Sequence, residues 1–142
     1  MTTIPIQKIF KSAYKIYFAH TDAAGVVHHS EYIRWLEAAR IDFLDEIKCP
    51  YTVLQDQKIG LSPIHIDIQY KAPLRYGDKA IVYTQFVDVN KASIVVFSKI
   101  TNQKDQVCTE ATVKLACLDE AQWKITKIPQ VLIDAITQFE LK

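Results

Sequence analysis

Hydrophobic residues follow a helical rhythm between residues 30 and 47, where they recur every three or four positions. This spacing predicts one long amphipathic helix. Ser30 is of a type preferred at a helix N-cap, and Cys49-Pro50 marks where the helix should end. Residues 12–19, rich in aromatic and β-branched types, predict a strand before it. The apolar positions of the helix are Ile33, Leu36, Phe43, Leu44 and Ile47.

The rhythm changes to a period of two in the second half of the chain. Ile64, Ile66, Ile68 and Tyr70 alternate with polar residues, which is expected when one face of a strand is buried. Further runs predict strands over 80–89, 93–101 and 107–118, a short helical connection over 51–57 and a C-terminal helix over 129–141. This order predicts an α+β fold, with an antiparallel sheet wrapped around one central helix.

Two of the predicted strands carry apolar residues on both faces. Ile81 and Tyr83 alternate with Val82 and Phe86 in one of them, so the sheet face away from the helix should also be partly buried. A chain of 142 residues has little else to cover that face. We therefore expect association with a second copy of the chain.

Composition narrows the class of protein. The length and the lack of a low-complexity linker predict a single domain over 1–142. A net charge of +1 gives no basic field for nucleic-acid binding, and no apolar run is long enough to span a membrane. The first eight residues lack a signal-peptide core. The 3 cysteines have no metal-ligand spacing, which indicates reduced thiols and a cytoplasmic location.

The candidate chemistry lies in residues 18–40. A strand end, a turn with the single carboxylate Asp22, and the histidines His28 and His29 lead directly into the long helix. A helix N-terminus offers free N–H groups and a partial positive charge, and a carboxylate can act as a base or a nucleophile. This combination is suited to hydrolysis of a carbonyl compound.

The run Tyr17-Phe-Ala-His-Thr-Asp22-Ala-Ala-Gly25-Val-Val-His-His29-Ser-Glu-Tyr32, with Trp35-Leu-Glu-Ala-Ala-Arg40 after it, resembles the signature of hot-dog-fold acyl-CoA thioesterases of the 4-hydroxybenzoyl-CoA thioesterase type. The turn Tyr70-Lys-Ala-Pro-Leu-Arg75-Tyr-Gly-Asp78 agrees with that family as well. The resemblance implies a hot-dog fold and hydrolysis of an acyl-CoA to free acid and CoA. It implies no metal or redox cofactor, and a homodimer or homotetramer with the active site at the subunit interface.

The resemblance also assigns roles to individual residues. Asp22 corresponds to the catalytic carboxylate, and the backbone N–H of His29 corresponds to the group that polarises the thioester carbonyl. The residues expected to contact the substrate are Gly25, Val26, His28, Tyr32 and Arg75. His20 and His28 depart from the pattern, because many relatives carry Asp at the first position and Tyr or Phe at the second.

Several alternatives stay open at this point. Asp22 could attack the thioester directly or activate water, and Glu37 could face either the substrate or solvent. A zinc site built on His20, Asp22, His28 and His29 is disfavoured, because adjacent side chains such as His28 and His29 usually point in different directions. An enoyl-CoA hydratase and a non-catalytic acyl-binding subunit are the competing functions. The sequence does not determine whether the acyl group is aromatic (4-hydroxybenzoyl or 1,4-dihydroxy-2-naphthoyl) or short aliphatic. It also does not determine whether the thioester is carried by CoA or by a carrier protein.

Overall fold

The computed structural model describes residues 8–142. The prediction that the first eight residues lack a signal-peptide core concerns mostly the segment 1–7, which lies outside the described residues. The elements follow the predicted order. The strands are β1 (Phe10–Lys15), β2 (Ile59–Tyr70), β3 (Lys79–Val89), β4 (Ser93–Thr101), β5 (Val107–Asp119) and β6 (Lys124–Ile125), and the helices are α1 (His29–Glu46), α2 (Tyr51–Asp56) and α3 (Gln130–Leu141).

The sheet is antiparallel, with strand order β1-β3-β4-β5-β2 and β6 paired to β5. The inner-face residues of β3 and β4 pack against α1, which places the long helix across one face of the sheet. The prediction of an α+β hot-dog fold, with the sheet wrapped around one central helix, is therefore confirmed. The first strand is shorter than expected, since β1 ends at Lys15 and a short 3₁₀ helix occupies Phe18–His20.

Helix α1 buries Leu36, Phe43 and Leu44 of the apolar stripe that its sequence spacing predicted, whereas Ile33 is 40% exposed, so the expectation was wrong for Ile33. Trp35, which lay outside the predicted stripe, is buried as well.

The N-cap of α1 is His28, so the expectation of Ser30 was wrong. The His28 imidazole caps the helix by accepting a hydrogen bond from the Ser30 N–H, a role that its extended backbone permits. Among the described residues no helix is both long and apolar enough to cross a membrane.

The core divides into two packed clusters along α1. One cluster surrounds the first half of the helix and includes Tyr32, Leu36, Val27 and Leu74. The other surrounds the second half and includes Phe43, whose ring stacks on Phe86 at a centroid distance of 4.5 Å. Helix α3 joins this second cluster through Leu132 and Ile136. The two halves of α1 are thus held by different groups of side chains.

Strand β2 differs from its predicted burial. Ile64 and Ile66 are 57% and 39% exposed, and Tyr70 is 47% exposed. The alternation correctly predicted a strand, but the expectation of a buried face was wrong for this half of it. The reason is that, within residues 8–142, β2 is an edge strand that pairs only with β5, and the helices leave its outer half uncovered. An exposed apolar edge of this kind is a surface at which another strand can pair.

All three cysteines, Cys49, Cys108 and Cys117, are free and buried. Burial raises the pKa of the Cys117 thiol to about 11 and raises the pKa values of the other two, so the reactive thiolate form is scarce at neutral pH. We expect DTNB to modify none of the three in the native protein and all three after unfolding in guanidinium chloride. Rapid modification of the folded protein would contradict this burial.

Candidate active site

Residues 20–28 form a tight hairpin that leads directly into α1. The Asp22 N–H donates to the Val26 carbonyl over 2.8 Å, and the His28 N–H donates to the His20 carbonyl over 2.9 Å. The chain reverses at Gly25, whose φ of +80° lies in the left-handed region. These bonds fix Asp22 across the hairpin from Val26, on the segment that enters the helix N-terminus.

The two oxygens of the Asp22 carboxylate have different surroundings. Its Oδ1 accepts hydrogen bonds from the Ala24 N–H at 2.8 Å and, more weakly, from the Val26 N–H at 3.4 Å. Within residues 8–142, Oδ2 has no hydrogen-bond partner, and the residue is exposed. One carboxylate oxygen therefore holds the turn while the other is available to a ligand.

The first N–H group of α1 is also available. His29 is the first helical residue, and no acceptor for its N–H is found in the described part of the chain. Its carbonyl accepts a hydrogen bond from the Tyr70 hydroxyl over 3.0 Å, which ties the start of α1 to the end of β2. The partial positive charge of the helix N-terminus adds to the donor strength of this N–H group. Tyr70 was not predicted as a site residue, because its position in an alternating strand indicated only an apolar contact.

The two adjacent histidines lie together. The rings of His28 and His29 are 4.2 Å apart between centroids and inclined by 31°. The expectation that they point in different directions was wrong, because the backbone changes from extended at His28 to helical at His29. The Nδ1 atom of His28 is occupied by Ser30, through the backbone N–H and the side-chain hydroxyl. Its Nε2 edge remains open at the mouth of the hairpin.

His20, the other departure from the family pattern, supports the start of the helix. Its Nδ1 accepts from the Tyr17 N–H at 2.9 Å, which leaves the proton on Nε2, 3.9 Å from Glu31. Its ring lies edge-on to Trp35 at 5.3 Å. The imidazole thus connects the hairpin to the first turn of α1 instead of lying beside Asp22 as a second charge.

The turn after β2 forms the second wall of the site. Arg75 pairs with Val26 in an isolated β-bridge, and the Leu74 carbonyl accepts from the Val27 N–H. The Tyr32 hydroxyl accepts from the Leu74 N–H at 3.1 Å, and the Tyr32 side chain is buried. Val26, Arg75 and Asp22 are therefore brought together, whereas Tyr32 supports them from within the core.

The described residues offer no set of donors for a metal ion. No group of three or more His, Cys, Asp or Glu side chains among residues 8–142 is arranged to hold an ion. His20 is directed toward Glu31, and Nδ1 of His28 is engaged by Ser30.

Gly25 offers a direct test of the hairpin. A Cβ atom there would meet nothing within 4 Å, so its φ of +80° is the main constraint. We expect Gly25→Val to lower the free energy of unfolding by about 1–3 kcal/mol, whereas Gly25→Asn costs less, because Asn tolerates the left-handed region. Urea unfolding followed by circular dichroism measures both. Equal losses for Val and Asn would show that the backbone angle is not the constraint.

Comparison with known proteins places the chain in a superfamily. The model of the thioesterase-like superfamily matches residues 17–136, and the chain belongs to that superfamily. YneP of Bacillus subtilis, provisionally named an acyl-CoA thioesterase, is 29% identical over 132 residues, covering 93% of this chain and 96% of YneP.

Other relatives agree with this placement. YbgC of Escherichia coli O157:H7, named an acyl-CoA thioester hydrolase, is 25% identical over 130 residues, covering 92% of this chain and 97% of YbgC. A Staphylococcus aureus structure named a DHNA-CoA thioesterase superposes with a TM-score of 0.87 at 23% identity, covering 94% of this chain and 91% of that one. At that identity it shows the shared fold.

Proposed function

We propose that this protein is an acyl-CoA thioesterase that hydrolyses a thioester to the free acid and CoA. The observation that carries the proposal is that, within residues 8–142, one carboxylate oxygen of Asp22 and the N–H of His29 both lack a hydrogen-bond partner, on the hairpin and on the first residue of the helix that it enters. These two groups supply what thioester hydrolysis requires, which is a base or nucleophile and a donor for the developing oxyanion. Membership of the thioesterase-like superfamily supports the reaction type.

In this mechanism the thioester carbonyl oxygen accepts from the His29 N–H, and charge that develops there is stabilised by the helix N-terminus. A single well-placed donor of this kind is worth about 10²–10³ in rate. Oδ2 of Asp22 then either attacks the carbonyl carbon or removes a proton from an attacking water. Direct attack breaks the C–S bond, releases CoA thiolate and leaves a mixed anhydride that water hydrolyses. In the other route the tetrahedral intermediate formed by water collapses to the free acid and CoA thiolate. Single turnover in isotope-labelled water tests for direct attack, because label enters the Asp22 carboxylate only when water opens an anhydride at the Asp22 carbonyl.

The rim of the site offers contacts for CoA. Arg75 is exposed beside Val26, and its backbone N–H is held by Asp78 over 2.9 Å. A guanidinium at this position suits a phosphate of CoA. Lys71 is less suitable, since it pairs with Glu110 at 2.9 Å. Gly25, Val26 and His28 surround the expected position of the thioester.

A panel of acyl-CoAs with DTNB detection tests the proposal. We expect release of CoA thiol from at least one aromatic, branched or straight-chain member, which ranks ring and chain-length preference together. Because the protein's own cysteines are buried, the reagent reads the released CoA. Hydration of an enoyl-CoA without thiol release would identify a hydratase, and binding without turnover would identify an acyl-binding subunit.

We further propose that two copies pair through β2. The support is its free edge together with the exposed Ile64 and Ile66, which a partner strand would cover while satisfying the unpaired backbone groups. The outer face of the sheet offers a second contact, through which such dimers would form a homotetramer, one of the two predicted oligomers. The three unpaired thiols fit a reducing, cytoplasmic compartment.

Antiparallel pairing of β2 would also complete the active site. Within one chain the Tyr70 end of β2 contacts the start of α1, and Leu61 and Pro63 at its other end lie near the middle of α1. A two-fold axis near Ile66 would set the Pro63 end of one strand beside the partner subunit's Tyr70. Asp22 and His29 of each subunit would then approach the middle of the other subunit's α1.

A further inference from the structure

A cavity of about 260 Å³ lies between the second half of α1 and the inner face of the sheet. Its walls are mostly apolar and include Phe43, Phe86, Ile94, Val96 and Leu115. It is large enough for a short acyl chain or a single ring. Glu37 lies on α1 eight residues after His29, about 12 Å further along the axis at 1.5 Å per residue. The cavity is therefore some distance from the catalytic groups of its own chain.

Arg40 is the unusual member of the lining. It projects from α1 into apolar surroundings, and burial lowers the pKa of its guanidinium. Within residues 8–142 no carboxylate lies within ion-pair distance of it and no hydrogen-bond acceptor is found for its five donors. None of its nitrogens is among the buried polar atoms without a partner in the described residues, so water reaches them. A ligand that enters the cavity and accepts from the guanidinium would replace that water with a charge-assisted hydrogen bond.

Glu37 lies one helical turn before Arg40 and lines the same cavity. Its charge favours the charged form of Arg40 and balances it, so the pair presents a donor and an acceptor with little net charge. A hydroxyl group matches both partners, since its oxygen accepts from the guanidinium and its proton is donated to the carboxylate. A hydrocarbon matches neither, and a ligand carboxylate would meet the repulsion of Glu37.

We propose that Arg40, together with Glu37, determines acyl specificity by selecting acyl groups with a hydroxyl at the end remote from the thioester. This rests on the proposed thioesterase function and on the β2 dimer, which brings the reacting groups of one subunit to the cavity of the other. The thioester then lies at the partner's Asp22 and the acyl tail extends into the apolar walls. Arg40 is not a catalytic residue, since it meets only the far end of the substrate.

The test compares kcat/KM for hexanoyl-CoA, ω-hydroxyhexanoyl-CoA and adipyl-CoA. We expect the native enzyme to favour the hydroxylated chain over hexanoyl by about tenfold or more, because a site built to bond a hydroxyl discriminates against its absence. Arg40→Met, similar in length but apolar, should abolish the preference while hexanoyl-CoA is turned over at least as well. Arg34→Met, an exposed arginine on the same helix, should leave the ratio unchanged.

An unchanged ratio in Arg40→Met would overturn the proposal, as would a native preference for adipyl-CoA over the hydroxylated chain. Dissociation of the oligomer by Arg40→Met would overturn it too, because Arg40 would then hold the subunits together instead of the substrate. If the native protein hydrolyses no acyl-CoA, the thioesterase proposal fails separately. Calorimetric binding of free hexanoate and ω-hydroxyhexanoate to the native and Arg40→Met proteins then decides the role of Arg40.

Discussion

Replacing Asp22 with Asn lowers kcat/KM for acyl-CoA hydrolysis by about 10²–10⁴-fold, the usual contribution of a positioned acid–base group. The amide keeps the oxygen that accepts from Ala24 and Val26, so the hairpin should persist. The variant loses only the charge and basicity of the carboxylate that is proposed to act on the thioester. Steady-state hydrolysis measures the loss, and an unchanged melting temperature shows that the fold is intact.

Asp119 provides a matched control for this substitution. Its Oδ1 accepts from the Ala121 and Gln122 N–H groups at 2.9 and 3.2 Å, so it holds a turn in the same way as Asp22. Asp119 lies at the end of β5, outside the hairpin that precedes α1. Asp119→Asn should retain full activity. Full activity in Asp22→Asn would show that the Asp22 carboxylate takes no part in the reaction.

Ile66→Asp should dissociate the protein into monomers and reduce hydrolysis by at least about tenfold. The substitution places a carboxylate on the free edge of β2, and a two-fold axis nearby would bring two like charges together. Ile66 is already 39% exposed in the single chain, so the monomer should remain folded. Sedimentation velocity gives the mass, and the same sample gives the activity.

Ile125→Asp is the control for this second variant. Ile125 is 65% exposed on β6, a short strand that pairs with β5 and not with β2. It introduces the same charge on an equally apolar surface residue, and the oligomer and activity should both persist. If Ile66→Asp remained a fully active dimer, the interface could not lie at this part of β2.

The sequence predicted the order and type of the elements because their periodicities reflect burial. The spacing of Leu36 and Phe43 could only suit a helix with one buried face, and α1 has that form. The same reasoning overestimated burial at Ile64 and Ile66. A period of two shows which residues share a face of a strand, but it does not show what covers that face.

The local geometry of the site was harder to predict from the sequence than the fold. The residue type at Ser30 favoured an N-cap, yet the His28 imidazole takes that position, because an extended backbone at His28 directs Nδ1 to the next N–H groups. The contact of Tyr70 with the His29 carbonyl joins residues 41 positions apart, and no local pattern encodes it. Nothing in the spacing distinguishes Arg40 from an ordinary helix residue, because the cavity beside it is formed by residues distant in the chain. The roles assigned to Asp22 and His29 stay predictions.

The division of the core into two clusters has a consequence for how this protein can change. The hairpin with Asp22 packs on the cluster of Val27, Leu74 and Tyr32, whereas the cavity proposed to hold the acyl group is lined by Phe43 and Phe86 of the other cluster. Substitutions that reshape the cavity leave the supports of the hairpin untouched. Substrate range can therefore drift over generations while the reaction itself is preserved.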